Sequence, residues 1–170
     1  MSHRRPEPIR VVDYDAGWPD EYEALSARVC EVLGPLVLRI EHVGSTAVPG
    51  LAAKPIVDLY AVVEAELIPE AIVRLAALGY VHEGELGIPG RAAFAWPTSE
   101  PRHHLYVCAP DHDGLEELVR FRDHLRAHPD DAAAYGELKK SLAKEHRDDR
   151  DAYSRGKDAF VNGILGKVLP

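Results

Sequence analysis

Two short apolar runs rich in β-branched residues, Val37–Val43 and residues 56–63, stand on either side of a Gly-, Ser-, Thr- and Pro-bearing stretch that ends in Lys54. Runs of that length predict two strands joined by a loop. Upstream, Tyr22, Leu25, Val29 and Val32 recur at helical spacing within residues 19–33. Pro19 suits the first turn, Asp20, Glu21 and Glu23 suit the positive end of the helix dipole, and Gly34-Pro35 ends the helix. Residues 9–12 predict a short strand or extended segment, and residues 1–8, polar and proline-bearing, a loose lead-in. Downstream, Pro69 opens a helix with Ile68, Ile72, Leu75 and Ala76 on one face, closed by Gly79.

Strand candidates at residues 80–82 and 92–96 flank a Gly- and Pro-rich turn, and His103–Cys108 predicts a further strand. In that strand His104 and Tyr106 share one face while Leu105 and Val107 share the other. From Leu115 onward the period is helical. Leu115, Leu118, Val119 and Leu125 form one stripe, Tyr135, Leu138 and Leu142 a second, and Tyr153, Phe160, Val161, Ile164 and Val168 a third. Pro129 separates the first two, with Asp130 or Asp131 as the cap, and the charged run 145–151 separates the last two. The order predicts one α+β (α/β) domain over residues 1–170, a small mixed sheet packed with helices plus a C-terminal helical segment.

Composition agrees with a single domain: 46% of 170 residues are hydrophobic, enough for a full core. The net charge of −8 provides no basic field for nucleic acid, so any anion site must be local. Cys30 and Cys108 fall in apolar periodic segments without metal-type spacing, which predicts buried, reduced thiols. No apolar run has the length of a membrane span, and the basic N-terminus has no apolar core behind it, so the expected location is cytoplasmic.

The loop between the first two strands carries the chemistry. Gly44 and Gly50 permit backbone angles that aim several N–H groups at one point, and Ser45 and Thr46 add hydroxyl donors. Pro49-Gly50 predicts a type II turn, and Pro55 holds Lys54 extended. Asp58, inside an apolar strand, needs a partner or a cation. It acts either as a loop anchor, accepting hydrogen bonds from Ser45, Thr46 or the backbone near Gly44, or as a metal- or ligand-holding group. A Walker A loop is excluded, because five residues separate Gly44 from Gly50 and Lys54 follows Ala53. Nor does a Ser-His-Asp or Cys-His pattern announce a hydrolase.

A strand, a Gly-Ser loop and a second strand bearing an aspartate resemble the nucleotidyltransferase superfamily. In those proteins the Gly-Ser pair holds nucleotide phosphates and carboxylates on the following strand hold divalent metal. HVGSTAVPGLAAKPIVD resembles more specifically the signature of the GrpB family, small bacterial proteins also found fused to dephospho-CoA kinase. YDAGWP, FRDHLRAHP, YGELK and YSRGKDAFV resemble further family positions in the same order.

The resemblance implies a nucleotidyltransferase-like fold and a small phosphorylated or nucleotide-like ligand. Gly44, Ser45 and Thr46 would hold its phosphates, while Lys54, Lys139, Lys157 and Arg102 would supply counter-charge. Asp58 is the catalytic and metal candidate, with His42 and His104 as further metal ligands; a mixed set of this kind suits zinc, manganese or iron better than magnesium. Two departures bear on catalysis: Tyr60 stands where the superfamily has its second carboxylate, and Tyr106 where the family favours histidine. A phenol, protonated at neutral pH, is a poor ligand for a hard cation. The implied function is therefore either metal-assisted nucleotidyl transfer or an inactive binding and regulatory module linked to coenzyme A biosynthesis, with dephospho-CoA kinase as a partner. His103 is expected at the surface, and Lys140, Lys144 and Arg147 on a solvated helix face. Arg91 is a further ligand candidate beside Phe94 and Trp96, which serve either the core or a stacked base.

Overall fold

A computed structural model describes residues 7–170; most of the expected lead-in, residues 1–6, lies outside them. In chain order the elements are α1 (Trp18–Leu33), β1 (Val37–Val43), β2 (Val57–Val63), α2 (Ile68–Ala76), β3 (Val81–His82), β4 (Arg91–Ala95), β5 (His103–Cys108), α3 (Asp113–Ala127), α4 (Pro129–Glu145) and α5 (Arg150–Val168). The strands form one mixed sheet in the order β1-β2-β5-β4-β3. β2 and β5 run parallel at its centre, and the other neighbours pair antiparallel. Their register sets Asp58 beside His104 and Tyr60 beside Tyr106.

Side-chain alternation gives the sheet two different faces. Leu59, Ala61, Val63, Leu105 and Val107 point to one, where Leu25, Val29 and Leu33 of α1 and Leu75 of α2 cover them completely. Burying a leucine to this extent contributes about 1.5–3 kcal/mol. On the other face Tyr60, Val62 and Cys108 pack under Leu115 of α3. The central strands are thus apolar on both sides, except where Asp58 and His104 emerge beyond the α3 cover. A third apolar cluster, with Leu125 of α3 and Tyr135 of α4, packs Val48 and Leu51 of the loop against the C-terminal helices. Those helices therefore close over the loop.

Several expectations are corrected. His103 is fully buried, because it shares the parity of Leu105 and Val107; Tyr80 Oη lies 2.7 Å from its Nε2 and Pro101 O 2.7 Å from its Nδ1. Cys30 is exposed, since the buried stripe of α1 runs through Leu25, Val29 and Leu33, whereas Cys108 is buried as expected. His128, not Asp130 or Asp131, precedes α4, and Pro129 is its first residue. The break before α5 needs no Gly or Pro: Asp149 caps the helix by accepting from Ala152 N at 2.9 Å. Other expectations stand: Phe94 belongs to the core, the first of the two uses open to it, and Lys140 lies on a solvated face, paired with exposed Asp13 at 2.8 Å. Among the described residues no helix is long and apolar enough to cross a membrane.

Candidate functional site

Gly44 carries the chain out of β1 with φ 75° and ψ −175°, a conformation essentially restricted to glycine. A Cβ there would collide with Asp58 Oδ2, so the carboxylate lies directly against the loop backbone. Ser45–Ala47 then makes a single 3₁₀ turn, and Val48 to Leu51 a tight turn with Gly50 at φ 80° and Leu51 N donating to Val48 O at 3.1 Å. Two arginines of α3 hold this arrangement. Arg126 Nε donates to Ala47 O at 2.8 Å, while Arg122 Nη1 donates to Glu41 Oε2 at 2.8 Å and His42 O at 2.9 Å.

Asp58 Oδ1 lies 2.7 Å from His104 Nδ1. The two residues border a cleft of about 360 Å³ together with Gly44, Ser45, Thr46 and Lys54. Its opposite wall comes from Tyr135 and Lys139 of α4 and Tyr153 and Lys157 of α5, over an apolar floor that includes Phe121 and Leu125. Eight residues expected from the sequence to form the site are thereby brought together: Gly44, Ser45, Thr46, Lys54, Asp58, His104, Lys139 and Lys157.

His42 is not among them. It pairs with Leu59 in the β1–β2 register, whereas Val43 pairs with Asp58, so its side chain projects to the opposite face of the sheet. There its ring stacks on Tyr22, 4.5 Å between centroids, and its Nε2 is hydrogen-bonded to Thr46 Oγ1 at 2.9 Å. Burial pushes its pKa down to about 4, aided by Arg126 and Arg122 against the pull of Asp58. His42 is a neutral brace for the loop. Arg102 also lies outside this cleft, in an adjoining cavity.

The lysines are unusual in what surrounds them. Helices α4 and α5 each carry the pattern Tyr-x-x-x-Lys, which sets the two side chains one turn apart on the same face. Lys139 Nζ sits 4.6 Å from the Tyr135 ring centroid and Lys157 Nζ 4.5 Å from that of Tyr153, which Lys54 Nζ also approaches at 5.2 Å. None of the three forms a salt bridge among the described residues. Lys139 is 2% exposed and its Nζ has no hydrogen-bond partner among the described residues. Burial, then repulsion from Lys157 and Lys54, pushes its pKa down to about 7. Lys157 falls to about 8 and Lys54 is also lowered, burial again leading. Neither the tyrosine platforms nor the Arg122 and Arg126 clamps are expected from the sequence, although the repeated Tyr-x-x-x-Lys spacing is visible in it.

The donors around Asp58 do not suit a resident metal centre. Its Oδ1 is engaged by His104, and the position of a second carboxylate holds Tyr60, whose hydroxyl accepts from Arg91 Nη1 at 3.1 Å. Arg91 also lies over the Tyr106 ring at 4.2 Å. Burial raises the pKa of both phenols, that of Tyr106 to about 12, so neutral hydroxyls and a guanidinium flank the aspartate. No group of three or more His, Cys, Asp or Glu able to hold a metal occurs among the described residues.

Comparison with known proteins agrees with this architecture. UPF0157 protein PA4798 of Pseudomonas aeruginosa is 39% identical over 99% of this chain and 71% of its own length. UPF0157 protein YqkA of Bacillus subtilis is 35% identical over 90% of this chain, but the match spans only 45% of YqkA. A dephospho-CoA kinase of Mycolicibacterium paratuberculosis is 27% identical over 90% of this chain and 44% of the kinase. Among solved structures, the conserved protein GrpB from Enterococcus faecalis superposes with a TM-score of 0.85 at 34% identity, covering 94% of this chain and 97% of that one. GLD-2 in its complex with RNP-8 gives 0.62 at 12% identity over 91% of this chain and 51% of that one. Cid1 in complex with the UTP analog UMPNPP gives 0.57 at 12% over 86% and 48%. At those identities the last two show fold alone, and that fold is nucleotidyltransferase-like. The GrpB protein family model matches residues 8–167, and the chain belongs to the GrpB family.

Proposed function

We propose that the cleft binds the phosphate groups of a nucleotide or another small phosphorylated ligand. The observation that carries this is Lys139, a buried amine set beside Lys157 and Lys54; among the described residues it has no hydrogen-bond acceptor and no carboxylate is ion-paired to any of the three. Clustered amines are costly to bury, and although Asp58 attracts Lys54 and Lys157, a polyanion reaching the three offsets their repulsion and supplies the acceptor that Lys139 lacks. Ser45 and the backbone at Gly44 and Thr46 border the same space and donate to phosphate oxygens, while the Thr46 hydroxyl is held by His42; Asp58, oriented by His104, positions the ligand. Solved complexes of the similarly folded Cid1 include one with a UTP analog, which supports a nucleotide as the ligand class. The test is a thermal-shift titration with nucleoside triphosphates. A shift in the parent that is lost in Lys139→Met/Lys157→Met supports the proposal, and no shift with any of them contradicts it.

Tyr60 and Arg91 favour a second reading of the outcome of binding, a regulatory module without turnover. Metal-assisted nucleotidyl transfer needs a divalent ion beside Asp58, and a phenol held by a guanidinium is ill suited to share one. The relatives named dephospho-CoA kinase make that enzyme the first partner to try. Stable complex formation between the two purified proteins, with no pyrophosphate released from nucleoside triphosphate, supports the module; turnover that Asp58→Asn abolishes supports the transferase.

A further inference from the structure

Arg102, expected to join the lysines, lines a second cavity of about 570 Å³ with Arg10 and Arg147, and Lys54 and Ile56 form the wall between the two. Among the described residues four cations border this space, Arg10, Lys54, Arg102 and Arg147, against one carboxylate, Glu7. In a chain of net charge −8 that concentration of positive charge is local and one-sided. The ion pair there joins Arg102 Nη1 to Glu7 Oε2 at 3.0 Å, and the Glu7 side chain is 75% exposed, so solvent screens it. Arg102 Nε, by contrast, is buried and has no hydrogen-bond partner among the described residues, and its guanidinium is held over Trp96 at 5.5 Å. Arg10 and Arg147 form no ion pair among the described residues.

The position of this cavity matters as much as its charge. Val57 pairs with His103 and Asp58 with His104 in parallel register, so Ile56 and Arg102 each stand two residues before the Asp58–His104 pair. At about 3.3 Å per residue, the arginine cavity opens roughly 7 Å along the strands from that pair. An occupant would lie alongside whatever fills the lysine cleft, with Lys54 between them.

We propose that the arginine-lined cavity is a second anion subsite, taking the phosphate of a separate small molecule that binds beside the ligand of the lysine cleft. Planar guanidinium donors match phosphate oxygens in pairs, and an anion there supplies the acceptor that Arg102 Nε lacks. That two occupants lie side by side rests on the phosphate reading of the lysine cleft; the arginine subsite itself does not.

The test is an NMR titration of the isotope-labelled full chain with inorganic phosphate. Saturable shifts of the Arg10 and Ile56 amides and the Arg102 Nε–H are expected, and they persist in Lys139→Met/Lys157→Met. Arg102→Gln/Arg147→Gln weakens the response of the Arg10 and Ile56 amides roughly tenfold or more, the effect of losing a charge-assisted hydrogen bond, and leaves the Thr46 amide response unchanged. Arg10→Gln, at an exposed position without an ion pair among the described residues, is expected to weaken the Ile56 and Arg102 responses several-fold and decides the matter if the double variant misfolds. Silence at Arg10, Ile56 and Arg102, or loss of their response in the lysine variant, overturns the subsite. A response there with none at Thr46 supports it while removing the phosphate reading of the lysine cleft.

Discussion

Lys139 lays its ammonium over the ring of Tyr135, 4.6 Å from the centroid, and meets no hydrogen-bond acceptor among the described residues. A ring face partly offsets the cost of burying the charge but does not remove it, and Lys157 and Lys54 add repulsion. The amine is therefore poised near pH 7 to take a proton when an anion arrives.

Ligand binding is accordingly expected to take up protons. A phosphate beside Lys139 and Lys157 raises amine pKa values that stand at about 7 and about 8 in the free protein. Affinity for inorganic triphosphate should then fall as pH rises from 7 through 8 and beyond. Calorimetry in buffers of different ionisation heat measures the uptake directly.

The free protein should gain stability over the same range. Lys139 has a pKa of about 7 when folded against 10.5 as the ordinary value, so between these the unfolded chain binds more protons and stability rises with pH. Below pH 7 the full cost of the buried ammonium is present. Lys139→Met removes that cost, and a gain on the order of 1 kcal/mol or more is expected at pH 7, shrinking towards pH 9. Urea unfolding at the two pH values checks both.

Gly44→Ala should damage fold and site together. Its backbone angles cost a side chain about 1–3 kcal/mol. The added Cβ also displaces the Asp58 carboxylate. A lowered melting temperature with a shifted His104 imidazole resonance is the expected result; an unchanged imidazole signal would show that Asp58 had not moved.

Manganese titrated into the ligand-free chain should stay in solution, since Asp58 is shared with His104 and Tyr60 is tied to Arg91. Electron paramagnetic resonance of the free ion reports this, and tight binding would contradict the account of the donor set.

The elements of this fold were legible where local patterns decide them. The β-branched run before Gly44 is β1 with its bounds intact, and the apolar stripes became α3, α4 and α5 with boundaries shifted by a few residues. What depends on register was not legible. His42 and His103 lie one residue from strand positions that face the cleft, and a single step of parity sends each to the opposite side of the sheet. The parallel pairing of β2 with β5, separated by α2, β3 and β4, is a long-range choice that no local signal encodes. Lys139 and Lys157 stood out through their motifs, but the rings beneath them needed the helices to be placed before Tyr135 and Tyr153 acquired a meaning. The Arg126 bond to Ala47 O is of the same kind, a surface charge in the sequence and a loop clamp in the fold.

The most direct measurement is a calorimetric titration of inorganic triphosphate into the parent chain and into Lys139→Met/Lys157→Met. The parent should bind, and the variant should bind roughly a hundredfold more weakly, the loss of two charge-assisted hydrogen bonds. Equal affinity in the two, or no binding to the parent, would contradict a phosphate-binding role for the lysine cleft.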